Sequence, residues 1–199
     1  MELQASISNW FPVQFTEIYA PSFINVSEKI FEAIDWQSVK TEKYSKNAET
    51  TYFSNIELPF VDELKELIQK AAENLAKNQG VNIEKHKAVV SSIWMNNMRN
   101  GSAHEKHVHG SSVYSGTYYV RSPEGSGSIR FHNPSLQLLE LTKPPIEEDN
   151  NSVTCSWVDF KPKPGLLLLW NSWVSHEVLQ NYNKEPRISI SFNINFVQR

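Results

Sequence analysis

Residues 164–178 read Pro164-Gly165-Leu166-Leu167-Leu168-Leu169-Trp170-Asn171-Ser172-Trp173-Val174-Ser175-His176-Glu177-Val178. A Pro-Gly turn opens the stretch, an apolar run of strand length follows, a polar bend interrupts it, and a histidine opens a new short run. Leu166 to Trp170 is far too short to cross a bilayer, which takes about 20 residues. Its length and its bounding turn signals make it a strand buried on both faces. A histidine placed just past such a strand sits where a β structure ends and a site can begin.

The pattern extends in both directions from this stretch. From Ala88 onward, short β-branched and aromatic runs recur at Val89–Met98, Val113–Arg121, Gly127–Phe131, Ser152–Phe160, Gly165–Trp170 and Arg187–Val197, which predicts an all-β core. Six of the seven glycines and five of the six histidines lie beyond residue 100, so turn chemistry and potential metal chemistry share this half. The first half reads differently. Phe23, Val26, Ile30, Phe31 and Ile34 fall at helical spacing between Ser22 and Trp36. Val61, Leu64, Leu67, Ile68, Ala71, Ala72 and Leu75 do so between Pro59 and Asn78, with Pro59 suited to the first turn and Gly80 to the position past the end. With no Pro/Gly/Ser linker between the halves, the expectation is one domain over 1–199: helical support over 1–86 and a β core over 87–199. The polar segment 133–151, with Pro144-Pro145 and an acidic run, reads as a long loop that could close over a site.

Bulk composition narrows the function classes. The 199 residues, 40% hydrophobic and 12% aromatic, suffice for one sizeable core. A formal net charge of -3 lacks the basic excess that neutralises phosphates, so nucleic acid is not expected as a partner. The lone Cys155 excludes an internal disulfide framework, and Met1 to Trp10 shows neither a basic nor an apolar leader region. The expected setting is a reducing cytoplasm, without a membrane span.

Three features carry chemistry. In His104-Glu105-Lys106-His107-Val108-His109, strand alternation projects His107 and His109 from one face, where two imidazoles can grip one metal. The zinc-protease spacing does not fit, because only Lys106 separates Glu105 from the next histidine. His176 is far enough along the chain to converge with that pair across a barrel. In Arg187-Ile188-Ser189-Ile190-Ser191-Phe192-Asn193, alternation puts Arg187, Ser189 and Ser191 on one face. An inward-facing arginine needs an anionic partner, and a guanidinium beside a hydroxyl suits a carboxylate. A surface histidine cluster and a solvent-facing edge arginine are the bland alternatives.

Taken in order, His107-x-His109, Ser115-Gly116-Thr117-Tyr118-Tyr119-Val120, Pro164-Gly165 with its apolar run and His176-x-Val178, and Arg187-x-Ser189 resemble the prolyl-hydroxylase-like 2-oxoglutarate/Fe(II) oxygenases, in particular short members from bacteria and their phages. The resemblance covers roughly residues 90–197. It implies a mainly β protein with supporting N-terminal helices, folded as a double-stranded β-helix (jelly roll). It also implies Fe(II) as metal, 2-oxoglutarate as co-substrate and O2 as oxidant, with release of succinate and CO2. His107 and His176 would be the histidine ligands and Arg187 would bind the distal carboxylate of 2-oxoglutarate. Ser189 and Tyr119 would assist, Tyr119 being preferred over Tyr118 because it shares a face with Thr117. Asn96, on the preceding strand, is a further pocket candidate. The hydroxylated partner would be a peptide side chain or a small metabolite.

One position departs from the family pattern: His109 stands where a carboxylate is common. Three neutral imidazoles leave Fe(II) its full charge, which the anionic co-substrate would balance, and the same donor set also suits Zn(II). Glu105 shares the face of His107 and His109 by alternation and stays open as a ligand. Two rival readings remain. A cupin-type metal enzyme fits the start of the histidine motif but lacks its glutamate after His109. A non-catalytic jelly-roll binding module would use the tryptophans as contact surface.

Overall fold

The computed structural model describes residues 12–39, 45–53, 57–135, 141, 152 and 154–199. In chain order these form β1 (Phe15–Tyr19), α1 (Ile24–Ala33), β2 (Ser45–Thr50), α2 (Asp62–Asn78), β3 (His86–His107), β4 (Tyr114–Arg121), β5 (Ile129–His132), β6 (Trp157–Phe160), β7 (Leu166–Asn171), β8 (His176–Val178) and β9 (Arg187–Gln198). The fold is mainly β, as expected. The helical first half is corrected in one respect: it also contributes β1, which pairs with β7, and β2, which pairs with β3.

The two expected helices form, with shifted starts. A short 3-10 turn over Pro21–Phe23 precedes α1, and Ile34 ends it in an extended conformation. Pro59 is not in the first turn of α2. The helix starts at Asp62, after Phe60 has taken a positive φ of 58°, so the proline belongs to the entering turn. At the other end Gly80 has φ 82°, with Val81 N–H donating to Ala76 O and Gly80 N–H to Lys77 O. That double bond closes the helix and needs a residue without a Cβ penalty in the left-handed region.

All strand pairings are antiparallel, in the order β1-β7-β4-β9-β3-β8-β5-β6 with β2 on the side of β3. The long β3 curls the sheet: residues 86–98 pair with β9, while His104 and His107 pair with β8. One surface of the curl is apolar and packs on the helices. Met95, Tyr118, Leu167, Ile190 and Phe192 meet Ile30, Leu64, Ile68 and Ala72 in one buried cluster. Gly116 lies in this layer, and a Cβ there would meet the Phe192 ring and sit 2.7 Å from Leu168 O. Arg121 at the end of β4 forms a two-pronged ion pair with Glu28 of α1 and lies over the Phe31 ring. No helix among the described residues is long and apolar enough to cross a membrane.

The inner surface of the curl is polar in layers, because paired residues of adjacent strands point the same way. Arg187 faces Met98; Ser189 faces Asn96 and Tyr119; Ser191 faces Trp94 and Thr117; Asn193 faces Ser92 and Ser115. This lining positions the site.

Candidate active site

β3 ends in His107, with His109 two residues on, and β8 begins with His176, so the three histidines meet where the two strands pair. Register explains how. His104 is opposite Val178 and His107 is opposite His176, so three steps on β3 match two on β8. Such a bulge resets the alternation of side chains. His104 and His107 both turn inward, and Glu105 and Lys106 absorb the extra residue.

The ligand atoms of His107, His109 and His176 lie within 4.8 Å of one another. Ring centroids are 4.3 Å apart for His107 and His176, and 5.3 Å for His109 and His176. His107 Nδ1 is 2.8 Å from Glu105 O and His176 Nδ1 is 2.9 Å from Val174 O. A carbonyl only accepts, so both Nδ1 atoms carry the proton, which makes Nε2 the nitrogen of each ring suited to ligate a metal. Glu105 thus serves through its backbone; its exposed side chain is outside the ligating group. His176 is 3% exposed and packs against Trp170 and Phe131. Burial, reinforced by the neighbouring His107, lowers its pKa to about 2, which keeps the imidazole neutral and metal-ready.

Next to the histidines is a cavity of about 290 Å3, whose polar lining includes Asn96, Thr117, Arg187, Ser189 and Ser191. Arg187 is 2% exposed, yet among the described residues it pairs with no carboxylate. Nη1 donates to the Met98 thioether at 3.1 Å, Cζ lies 4.9 Å from the Tyr119 ring centroid, and Nε has no acceptor. The Tyr119 hydroxyl is also buried without a hydrogen-bond partner; burial raises its pKa, and nearby Arg187 opposes the rise. A buried guanidinium satisfied only by sulfur, beside an unpaired phenol, is costly unless an anion occupies the space. Ser189 is buried on the same wall, and Asn96 Nδ2 donates to Ser191 Oγ at 2.9 Å.

All seven residues singled out from the sequence therefore lie in or against one cavity: His107, His109 and His176 in the ligating group, Arg187, Ser189 and Asn96 on the wall, and Tyr119 packed under Arg187. Sequence reasoning missed His104, Met98, Trp94, Trp170, Ala48 and Thr50, which also line it. Met98 and Trp94 share the face of Asn96 by strict alternation and were legible as such. His104 was not, because only the bulge turns it inward. Ala48 and Thr50 are on β2, which carries no strong strand signal. The expected lid, 133–151, lies mostly outside the described residues.

A family model described as "Putative 2OG-Fe(II) oxygenase" matches residues 92–193. The sequence matches none of the curated proteins. Among solved structures, a Pseudomonas putida prolyl-4-hydroxylase is similar with TM-score 0.60 at 13% identity, covering 91% of this chain and 92% of its own. HygX from Streptomyces hygroscopicus, with nickel and 2-oxoglutarate bound, gives TM-score 0.59 at 12% identity over 92% and 83%. The carbocyclase SnoK from nogalamycin biosynthesis gives 0.65 at 10% identity over 94% and 82%. At such identities these likenesses speak to the jelly-roll fold alone.

Proposed function

This chain belongs to the 2OG-Fe(II) oxygenases, and from that premise we propose that it hydroxylates a C–H bond of a peptide side chain or small metabolite, with His107, His109 and His176 holding the metal and Arg187 anchoring 2-oxoglutarate. The family's cofactors are Fe(II) and 2-oxoglutarate. Membership sets aside the cupin and the non-catalytic module.

The donor set fits these groups. Three neutral imidazoles converge on one point, and two unpaired buried polar atoms, Arg187 Nε and Tyr119 Oη, are complementary to a carboxylate. The second match carries the proposal, since a barrel built only to bind metal has no use for a buried unpaired guanidinium. When bound, the metal and the oxo-acid supply the oxidation, in which O2 delivers one oxygen atom to the substrate C–H and the other to succinate, with loss of CO2.

The chain's own residues supply position and dryness. Glu105 O and Val174 O fix two imidazoles with Nε2 inward. Arg187 offers a fork to the distal carboxylate, and Tyr119 and Ser189 are placed to add hydroxyl donors to it. Asn96 holds Ser191 in place along the same wall. The aromatic group Phe15, Phe131, Phe160 and Trp170 packs behind His176 and keeps water from its buried side. Beyond the metal side, Trp94 and Tyr52, 4.7 Å apart, line the cavity and offer apolar faces to the substrate. A reducing cytoplasm, in keeping with the single free Cys155, is part of this proposal.

The test is succinate production from 2-oxoglutarate by Fe(II)-loaded protein, with and without candidate peptides and metabolites. It is paired with calorimetric titration of 2-oxoglutarate into anaerobic Mn(II)-loaded wild type, Arg187→Ala and Arg187→Lys. Charge-assisted hydrogen bonds worth about 1.5–3 kcal/mol each make the expected loss in Arg187→Ala well over tenfold, with partial rescue by lysine. Equal affinities in the three proteins would overturn the assignment of Arg187.

A further inference from the structure

We propose that Met98 is the length gauge of the co-substrate pocket, selecting a five-carbon 2-oxo-diacid over its six-carbon homologue by filling the space beside the guanidinium that anchors the distal carboxylate. The inference rests on the reading of Arg187 as that anchor.

Met98 and Arg187 are cross-strand partners on β3 and β9, and both side chains line the cavity. They form the layer beyond Ser189, Asn96 and Tyr119, so in this direction they end the polar lining. Met98 is 3% exposed and Ala48, also on the cavity wall, is 3% exposed, so neither side chain opens to solvent at this end of the cavity. Nη1 of Arg187 is spent on the Met98 thioether at 3.1 Å, which leaves the buried, unpaired Nε among the donors that can meet a carboxylate.

The chemistry of a thioether suits this task. Sulfur is a weak acceptor that keeps the guanidinium oriented in the empty pocket without competing with an anion for it. An aspartate or glutamate at position 98 would neutralise the anchor, and a small residue would leave it free to swing. The sulfur and its methyl group also occupy volume. Truncation to alanine removes Cγ, Sδ and Cε, more than the one methylene by which 2-oxoadipate exceeds 2-oxoglutarate, and frees Nη1 to follow the displaced carboxylate. One methylene in a fitted pocket typically discriminates by about 10- to 200-fold, so the gauge should be measurable.

The experiment is calorimetric titration of 2-oxoglutarate and 2-oxoadipate into anaerobic Mn(II)-loaded wild type, Met98→Ala, Met98→Val, Met98→Leu and Arg187→Ala, a binding readout that needs no turnover and no prime substrate. Wild type should favour 2-oxoglutarate by at least about tenfold. Met98→Leu, which keeps the volume and loses only the acceptor, should retain that ratio. Met98→Ala should lower it about tenfold or more, chiefly through tighter 2-oxoadipate binding. Met98→Val should move it the same way by less, and serves if the alanine variant fails to fold. An unchanged ratio in both truncations, or a collapsed ratio in Met98→Leu, overturns the gauge. Arg187→Ala separates the two readings: loss of 2-oxoglutarate binding with an unmoved ratio in the Met98 variants discards the gauge alone, whereas wild-type affinity in Arg187→Ala discards the anchor and the gauge with it.

Discussion

His107 is directly opposite His176 across the β3–β8 pair, and each ring is held by the backbone carbonyl two residues before it, Glu105 O for one and Val174 O for the other. The two imidazoles are thus fixed by the same local device on two different strands, with Nε2 inward in both. The placement of this histidine pair follows from strand register and backbone carbonyls, with Phe131 and Trp170 packed against the His176 ring.

Removing either ring should therefore leave the fold and take away the metal. His107→Ala and His176→Ala are expected to lose stoichiometric Fe(II) or Co(II) binding while keeping the wild-type circular dichroism spectrum. Metal content equal to wild type in both would show that the histidines are not ligands.

His109 should behave differently. It lies past the end of β3, in the place where a carboxylate could take over its donor role, so His109→Asp should still bind Fe(II). A harder oxygen donor should also raise the preference for Fe(II) over Zn(II) relative to wild type. Competition between the two metals, read by elemental analysis, decides; complete loss of Fe(II) binding would count against a ligand role at this position.

In the metal-free protein, stability should fall with acidification because of His176. Its pKa is lowered from 6.5 to about 2 by burial, so between these values the unfolded chain binds a proton that the folded chain refuses. The contribution of the neutral buried ring is complete above pH 6.5 and is lost progressively as pH falls below it, by at most about 1.4 kcal/mol per pH unit for one proton. Thermal melts of the apo-protein and of His176→Gln at pH 7, 6 and 5 provide the comparison. The difference between them should shrink as pH falls; a constant difference would mean that His176 is not held neutral.

Gly116 should tolerate no side chain, for reasons of packing alone. A Cβ would press on the Phe192 ring, which is buried in the layer between the sheet and the helices, and on the Leu168 carbonyl of the paired strand β7. Gly116→Ala should cost on the order of 1–3 kcal/mol by overpacking, seen as a lower urea midpoint. A midpoint equal to wild type would show that this layer can yield.

Much of the site was legible because its residues obey local rules. Arg187, Ser189, Ser191 and Asn193 alternate along a regular strand, as do Asn96 and Met98 on its partner, so a face assigned from sequence is the face found. Tyr119 was separable from Tyr118 by the same rule: Tyr119 is in the layer of Ser189 and Asn96, and Tyr118 donates outward to Ala20 O. The start of α2 was less legible, since Pro59 suits either the first helical turn or the turn before it, and the positive φ of Phe60 decided for the latter.

By itself the sequence determined the β-rich second half, the two amphipathic helices, the histidine that opens a strand after the apolar run and the polar inner face of β9, because these are properties of the local backbone. The tertiary structure alone decided what depends on a partner strand. β2 forms on the side of β3 despite its polar sequence, and a bulge against β8 turns His104 inward while leaving the Glu105 carboxylate outside the ligand group. The Met98 sulfur occupies one arm of Arg187. Alternation carries phase along a strand only while its ladder is regular, and whether the ladder slips is set by the neighbour it pairs with.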